Sequence, residues 1–292
     1  MYGVIAAVPT PIDTTGNPQK SLFLSHCSWL FENGCDGLNI LGSTGEANSF
    51  DIQSRKKIMG WAVEVLDQSK LMVGTGTPSL AETIELTKFA DSAGYSVALV
   101  LPPYYYKPVS DEGLYLWYEQ LHEALGDCKI AIYFYNFPQM TGFEIPISVI
   151  SRLHKSWPER FKGIKDSSGK LEYCRELTKQ LPEFSVFPSS EVSLNEAHKS
   201  GFAGCISATT NQTSALSAEL WANRRAPDSQ LAQKINDLRN KIAGTALIPS
   251  VKYLVAQRTN QPLWENLLPP FCTVSEERKS DLAPVADQLL RQ

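Results

Sequence analysis

Gly3-Val4-Ile5-Ala6-Ala7-Val8-Pro9-Thr10-Pro11, after Met1-Tyr2, is an apolar run that stops at two prolines. An unbroken apolar run of strand length suits a strand buried on both faces, as in parallel sheets. An open, doubly wound sheet would follow its first strand with a Gly-x-Gly-x-x-Gly turn. Val8-Pro9-Thr10-Pro11 has no glycine and cannot cradle a pyrophosphate. The stretch therefore favours a closed barrel over an open sheet.

Working outward, seven more short runs rich in Val, Ile, Leu or aromatics follow, at 37–41, 71–74, 96–101, 129–135, 161–165, 184–187 and 203–207. Amphipathic stretches separate them, among them 21–33, 50–67, 79–94 and 111–125. Ser79-Leu80-Ala81-Glu82 fits a capping box, and Gly94 stands where that helix should stop. Strand–helix alternation means a parallel sheet covered by helices, and eight repeats predict an α/β fold, a (β/α)8 TIM barrel. Beyond about residue 215 the strand signals end. Helices are expected at 217–225, 228–244, 250–257 and 275–290, punctuated by Pro249, Pro262 and Pro269-Pro270. The expected organisation is a barrel over 1–222 and a helical extension over 223–292 packed on it.

The composition is that of an ordinary globular chain: 292 residues, 43% hydrophobic, 20% charged, formal net charge -4. The acidic balance argues against a nucleic-acid partner, and no basic run or long apolar span suggests a membrane. The six cysteines are scattered with no Cys-x-x-Cys pair, as expected of reduced thiols, and the N-terminus does not read as a signal peptide. A cytoplasmic location is expected. The four histidines show no metal-ligand spacing, so neither a metal nor a cofactor is expected.

Barrel active sites form where the strands end. The sixth run, Phe161-Lys162-Gly163-Ile164-Lys165-Asp166, puts Lys165 at such an end. Burial disfavours an ammonium ion, and a neutral amine can attack a carbonyl. By itself such a lysine also fits a side chain reaching out to solvent. Lys162, three positions earlier, should face the other side. After the second run, Gly42-Ser43-Thr44-Gly45-Glu46 offers hydroxyls and backbone N–H groups that suit a carboxylate or phosphate, or else only a tight turn. The fifth run offers Tyr133 and Tyr135 on one face, which geometry alone does not separate. Gly74-Thr75-Gly76 reads as a close-packing turn.

Three of these pieces together resemble the dihydrodipicolinate synthase / N-acetylneuraminate lyase superfamily of class I pyruvate aldolases. They are Gly42-Ser43-Thr44-Gly45-Glu46, Tyr135-Asn136-Phe137-Pro138 and Gly163-Ile164-Lys165-Asp166-Ser167. The resemblance implies that Lys165 forms an imine with pyruvate or a 2-keto acid. It implies that Ser43, Thr44 and Gly45 hold the carboxylate and that Tyr135 moves protons. Tyr105 matches a relay tyrosine contributed across a dimer interface, with the register open by one position in Tyr104-Tyr105-Tyr106. Ile206 matches a position whose carbonyl faces the pyruvate, and Ser189 and Glu191 follow the seventh strand where relatives bind substrate. A homodimer or homotetramer is implied, with pyruvate and an aldehyde or 2-keto acid as its small-molecule partners.

Two departures bear on the substrate. Met140 stands where the synthases carry an arginine for a carboxylate of the aldehyde partner, a loss of about 2–5 kcal/mol for a desolvated pair. Val192 replaces one of two acidic residues of the sialic acid lyases, leaving Glu191 for a substrate polyol. Tyr-Asn-Phe-Pro-x-x-Thr-Gly over 135–142 is similar to 2-keto-3-deoxygluconate aldolases. That subclass is the favoured expectation. The alternatives are dihydrodipicolinate (4-hydroxy-tetrahydrodipicolinate) synthase, 4-hydroxy-2-oxoglutarate aldolase and sugar-acid dehydratases or deaminases. A non-catalytic small-molecule-binding barrel is the alternative of another class.

Overall fold

Residues alternate sides along a strand, so a strand buried on both faces must supply apolar groups to two cores. The computed structural model, which describes residues 1–244 and 246–289, shows both. Its strands are β1 (Gly3–Ala7), β2 (Gly37–Ile40), β3 (Leu71–Gly74), β4 (Val97–Val100), β5 (Ala131–Asn136), β6 (Phe161–Asp166), β7 (Ser185–Pro188) and β8 (Gly204–Ser207). Val4, Ala6, Ile132 and Phe134 point outward under the helices. Ile5, Ala7, Leu99, Tyr133, Tyr135, Phe187 and Ile206 fill the interior.

All pairings are parallel and follow chain order, and β8 pairs back onto β1. Between β7 and β8, the Ala203 N–H donates to the Val186 carbonyl at 2.9 Å, so the ring is nearly closed. The fold is a (β/α)8 barrel. Its helices include Lys20–Glu32, Ile52–Val65, Leu80–Ser92 and Asp111–Leu125, close to the expected bounds. Ser79 caps the third of these by accepting from the Glu82 N–H at 3.3 Å, and Gly94 ends it with φ 95°.

Two differences from the sequence reading have their causes in contacts between elements. Lys162 is an extra residue in β6: Ile132 pairs with Phe161 but Tyr133 pairs with Gly163. This bulge changes the facing of everything after it. Lys162 and Lys165 therefore share the interior side instead of facing opposite sides: Lys162 lies beside Tyr133 at the far end of the barrel, half-exposed in an ion pair with Glu159 at 2.7 Å, and Lys165 at the C-terminal end. The second difference is the helix after β8, which runs Thr210–Ala222 rather than starting at 217. Thr210, Asn211, Thr213 and Ser214 are poor helix formers, yet they are buried. Tertiary bonds hold them: the Thr210 hydroxyl donates to the Ser207 carbonyl at 2.5 Å, and the Asn211 amide to the Ala7 carbonyl at 2.8 Å.

The extension consists of helices Ser229–Ala243, Leu247–Thr259 and Glu276–Leu289. The first two replace the expected 228–244 and 250–257; residue 290 of the expected last helix lies outside the described residues. Asp228 caps the first by accepting from the Gln230 N–H at 2.8 Å. Pro249 falls in the first turn of the second, where a missing N–H costs nothing. Leu238, Ile242, Val251, Leu254 and Leu282 pack together against Ala208, just past β8. Among the described residues no helix is long and apolar enough to cross a membrane.

Candidate active site

At the C-terminal end of the barrel a cavity of about 990 Å³ runs from the strand ends up to the helical extension. Ser43, Thr44, Tyr135, Lys165, Ser189 and Ile206 all line it.

Register places Lys165 beside Tyr135. Tyr135 pairs with Lys165 and Asn136 with Asp166 on adjacent strands. Lys165 is 4% exposed, and its Nζ donates to the Tyr135 hydroxyl at 3.2 Å. The hydroxyl also lies 3.3 Å from Ser43 Oγ. Lysine, phenol and serine thus form one chain of polar atoms at the cavity floor. The neighbouring pair locks the strand ends: the Asn136 amide donates to Asp166 Oδ1 at 2.6 Å, and Asn136 Oδ1 accepts from the Ile145 N–H at 3.0 Å. Burial pushes the Asp166 carboxyl up, opposed by hydrogen bonds from Asn136 and Ser168. Tyr133, the other candidate, points toward the opposite end of the barrel, with its hydroxyl 3.5 Å from the Met1 amine. Gly163 makes room for it: a Cβ there would sit 2.8 Å from the Tyr133 ring.

The Ser43–Gly45 turn is set by unusual backbone on both sides. Leu41 has φ 54° and Glu46 φ 55°, a left-handed conformation that costs about 1–3 kcal/mol at a non-glycine residue. Leu41 is tolerated because Gly74 lies under its carbonyl, where a Cβ would come within 2.1 Å of that oxygen. Gly76 likewise meets Leu101 N, so Gly74-Thr75-Gly76 is the close-packing turn expected. Glu46 is buried and clamped: Lys252 Nζ bonds Oε1 at 2.6 Å, and the Leu268 N–H bonds Oε2 at 2.7 Å. Lys252 also donates to the Thr10 carbonyl at 2.9 Å. Burial lowers the Lys252 pKa, and the Glu46 carboxylate opposes that shift. The helical extension therefore holds the Ser43–Gly45 turn in place.

Three expected site residues lie elsewhere. Gly45 does not line the cavity. Its N–H is occupied by the Gly42 carbonyl at 3.0 Å, and its own carbonyl accepts from the Thr10 hydroxyl at 2.9 Å. Tyr105 is 74% exposed, packed edge-on against Tyr106 and outside the cavity of its own chain. Glu191 is fully buried and does not touch the cavity. Its oxygens accept from Ser207 at 2.6 Å, Thr209 at 2.5 Å and Thr213 at 3.0 Å, with Arg239 at 3.0 Å. Those donors leave no oxygen for a polyol, which corrects the role expected from its position.

Arg239, in contrast, lines the cavity and went unnoticed in the sequence. The signal was present. It lies four residues after Ile235 and three before Ile242, on the buried stripe of its helix, where a charge needs a reason. Met140 also lines the cavity, near its mouth, and is 62% exposed.

The model of the dihydrodipicolinate synthetase family matches residues 1–289. A 4-hydroxy-tetrahydrodipicolinate synthase of Bartonella henselae is 29% identical over 88% of both chains. Another, of Rhodospirillum centenum, is 33% identical over 75% of both. Among solved structures, YagE, a prophage protein of that family from E. coli K12 in complex with pyruvate, superposes with a TM-score of 0.89 at 27% identity, covering 99% of this chain and 98% of its own. The chain belongs to the dihydrodipicolinate synthetase family, whose members are lyases of the class I aldolase type.

Proposed function

We propose that this chain is a pyruvate-dependent aldolase that cleaves, or forms, a 2-keto-3-deoxy sugar acid through an imine on Lys165. The observation that carries the reading is the buried Lys165 amine, 3.2 Å from the Tyr135 hydroxyl on the floor of a large cavity. In this scheme the amine attacks the keto carbon, water leaves, and an imine forms. Tyr135, within reach of Lys165 and Ser43, moves the protons. It takes the proton of the C4 hydroxyl as the C3–C4 bond breaks, and the bonding electrons pass into the imine to give an enamine. The aldehyde leaves, Tyr135 returns that proton to C3 of the enamine, and water hydrolyses the imine to release pyruvate and free the lysine. Ser43 and Thr44 hold the carboxylate. Ser189 and the Ile206 backbone complete the pyruvate pocket. The residues named perform every step without a metal or cofactor.

Tyr105 is proposed to serve a neighbouring subunit in a cytoplasmic homodimer or homotetramer. Its exposure beside Tyr106, outside its own cavity, supports that role.

A second reading, 4-hydroxy-tetrahydrodipicolinate synthase, is favoured by the names of the relatives. Against it stands Met140 at the mouth, where a carboxylate-bearing aldehyde would need an arginine.

Borohydride reduction with pyruvate, followed by intact and peptide mass, tests the class. An adduct on Lys165, absent from Lys165→Ala, is expected. No adduct with pyruvate or any 2-keto acid would overturn it. Cleavage of 2-keto-3-deoxygluconate, compared with condensation of pyruvate and aspartate semialdehyde, then decides between the two substrates.

A further inference from the structure

Arg239 meets the cavity in an unusual electrical state. Its Nη1 lies 3.0 Å from Glu191 Oε2, 3.0 Å from Ser207 Oγ and 2.7 Å from Thr209 Oγ1. The same hydroxyls donate onward to the Glu191 carboxylate, which is buried completely. The cluster carries one positive and one negative charge. Nε and Nη2 have no protein partner among the described residues, although Arg239 is part of the cavity wall. What the guanidinium offers a ligand is therefore directed N–H donors with little net charge behind them.

The site lies close to the reacting end. Ser207, which Nη1 touches, directly follows Ile206 on β8, and Ile206 lines the cavity beside Lys165. The rest of the outer wall adds no net positive charge, since its one arginine is outnumbered by two carboxylates. Arg278 is turned onto Ser250 Oγ and the carbonyls of Lys241 and Ile242, with Glu277 and Asp281 also on the wall.

We propose that Arg239, charge-balanced by Glu191, selects substrates with an uncharged, hydroxylated tail, its Nε and Nη2 donating to tail hydroxyl oxygens. Glu191 is the positioning residue. It fixes the guanidinium and cancels the charge that would otherwise attract a phosphate or carboxylate tail. This assignment rests on the aldolase reading and specifies the tail of its substrate.

The test condenses pyruvate with glyceraldehyde or glyceraldehyde 3-phosphate, using wild type, Glu191→Gln and Arg239→Gln, each first checked by borohydride trapping of pyruvate. Wild type is expected to favour glyceraldehyde in kcat/KM by about tenfold or more. Glu191→Gln should shift the ratio toward the phosphorylated aldehyde by about tenfold, since it leaves the arginine uncompensated. Arg239→Gln should weaken glyceraldehyde use by about tenfold, mainly through KM, with no gain for the phosphate. A wild type that prefers the phosphate, or a trapping-competent Glu191→Gln with an unchanged ratio, overturns the proposal. So does turnover of neither aldehyde by a chain that traps pyruvate. If Glu191→Gln does not fold, the other two proteins decide: an unaltered KM for glyceraldehyde in Arg239→Gln is disproof. A wild type that fails to trap pyruvate at all overturns the aldolase reading, and this assignment with it.

Discussion

Tyr135 and Lys165 are register partners on β5 and β6, and the lysine Nζ meets the phenol oxygen at 3.2 Å directly above that pairing. The strand ladder itself sets the geometry, so no loop has to close to bring amine and phenol together. Tyr135→Phe keeps the ring and its packing and removes only the hydroxyl, the proposed proton carrier. Turnover should fall by about 10²–10⁴-fold, the range for a lost general acid–base. Rapid-quench borohydride trapping should show slower imine formation on an intact Lys165. An unchanged turnover number would remove Tyr135 from the mechanism.

Met140→Arg places a cation at the cavity mouth. Activity on neutral aldehydes should weaken, and use of aspartate semialdehyde should rise relative to glyceraldehyde. Steady-state competition between the two aldehydes reads the ratio. Robust aspartate semialdehyde condensation by the wild type would show that Met140 does not exclude a carboxylate.

Lys252→Met strips the buried Glu46 carboxylate of its cation. Breaking one side of a buried pair costs roughly 3–5 kcal/mol, whereas removing both charges costs far less. Urea melts should therefore find Lys252→Met much less stable than the double variant Lys252→Met/Glu46→Gln. Equal losses in the two would mean the pair is not coupled.

His26 links stability to pH. Burial, then the nearby Arg258 charge, drives its pKa from 6.5 to about 3, opposed by its hydrogen bond to Asn211. The unfolded chain takes up a proton below about pH 6.5 and the native imidazole does not. Protonation thus favours unfolding: the stability is present above pH 6.5 and is lost progressively as pH falls toward 3. Between pH 7 and pH 5 the loss should be roughly 1–2 kcal/mol. His26→Gln, less stable at the outset, should lack this component in urea melts at the two pH values. The same slope in both proteins would assign it to other groups.

Gly74→Ala would drive a Cβ into the Leu41 carbonyl, at 2.1 Å. A destabilisation of about 1–3 kcal/mol is expected from such overpacking, with weaker pyruvate capture because Leu41 adjoins the Gly42–Thr44 turn. Gly60 is the control, since a Cβ there meets nothing within 4 Å inside the helix Ile52–Val65. Gly60→Ala should stabilise by about 0.5–1 kcal/mol without altering capture. Calorimetry and single-turnover trapping check both.

Much of this was legible in the chain, because periodicity reports burial directly. The eight apolar runs marked the strands, and strand ends told where Lys165, Tyr135, Ser43 and Ser189 would converge. What the sequence hid depends on contacts distant in the chain. The bulge at Lys162 is a property of the β5–β6 pairing, not of β6 alone. The start of the helix Thr210–Ala222 defies propensity, because its polar side chains are paid for by bonds to β1, β8 and Glu191. Glu191 was singled out as a substrate ligand, but its donors Ser207, Thr209, Thr213 and Arg239 lie far from its own loop and could not be read from it. Gly45 belonged to the right motif yet supports it from behind.

The clamp on Glu46 also has a meaning for the order in which the molecule is made. Glu46 and Lys252 are 206 positions apart, and Leu268 lies further on still. A chain emerging from the ribosome has all eight strands available before either group can reach the turn that carries Ser43 and Thr44. Until then a buried carboxylate lacks its counter-ion beside that turn. The nascent barrel can assemble its ring early, but the pocket matures last, and an incomplete chain is a poor catalyst by construction.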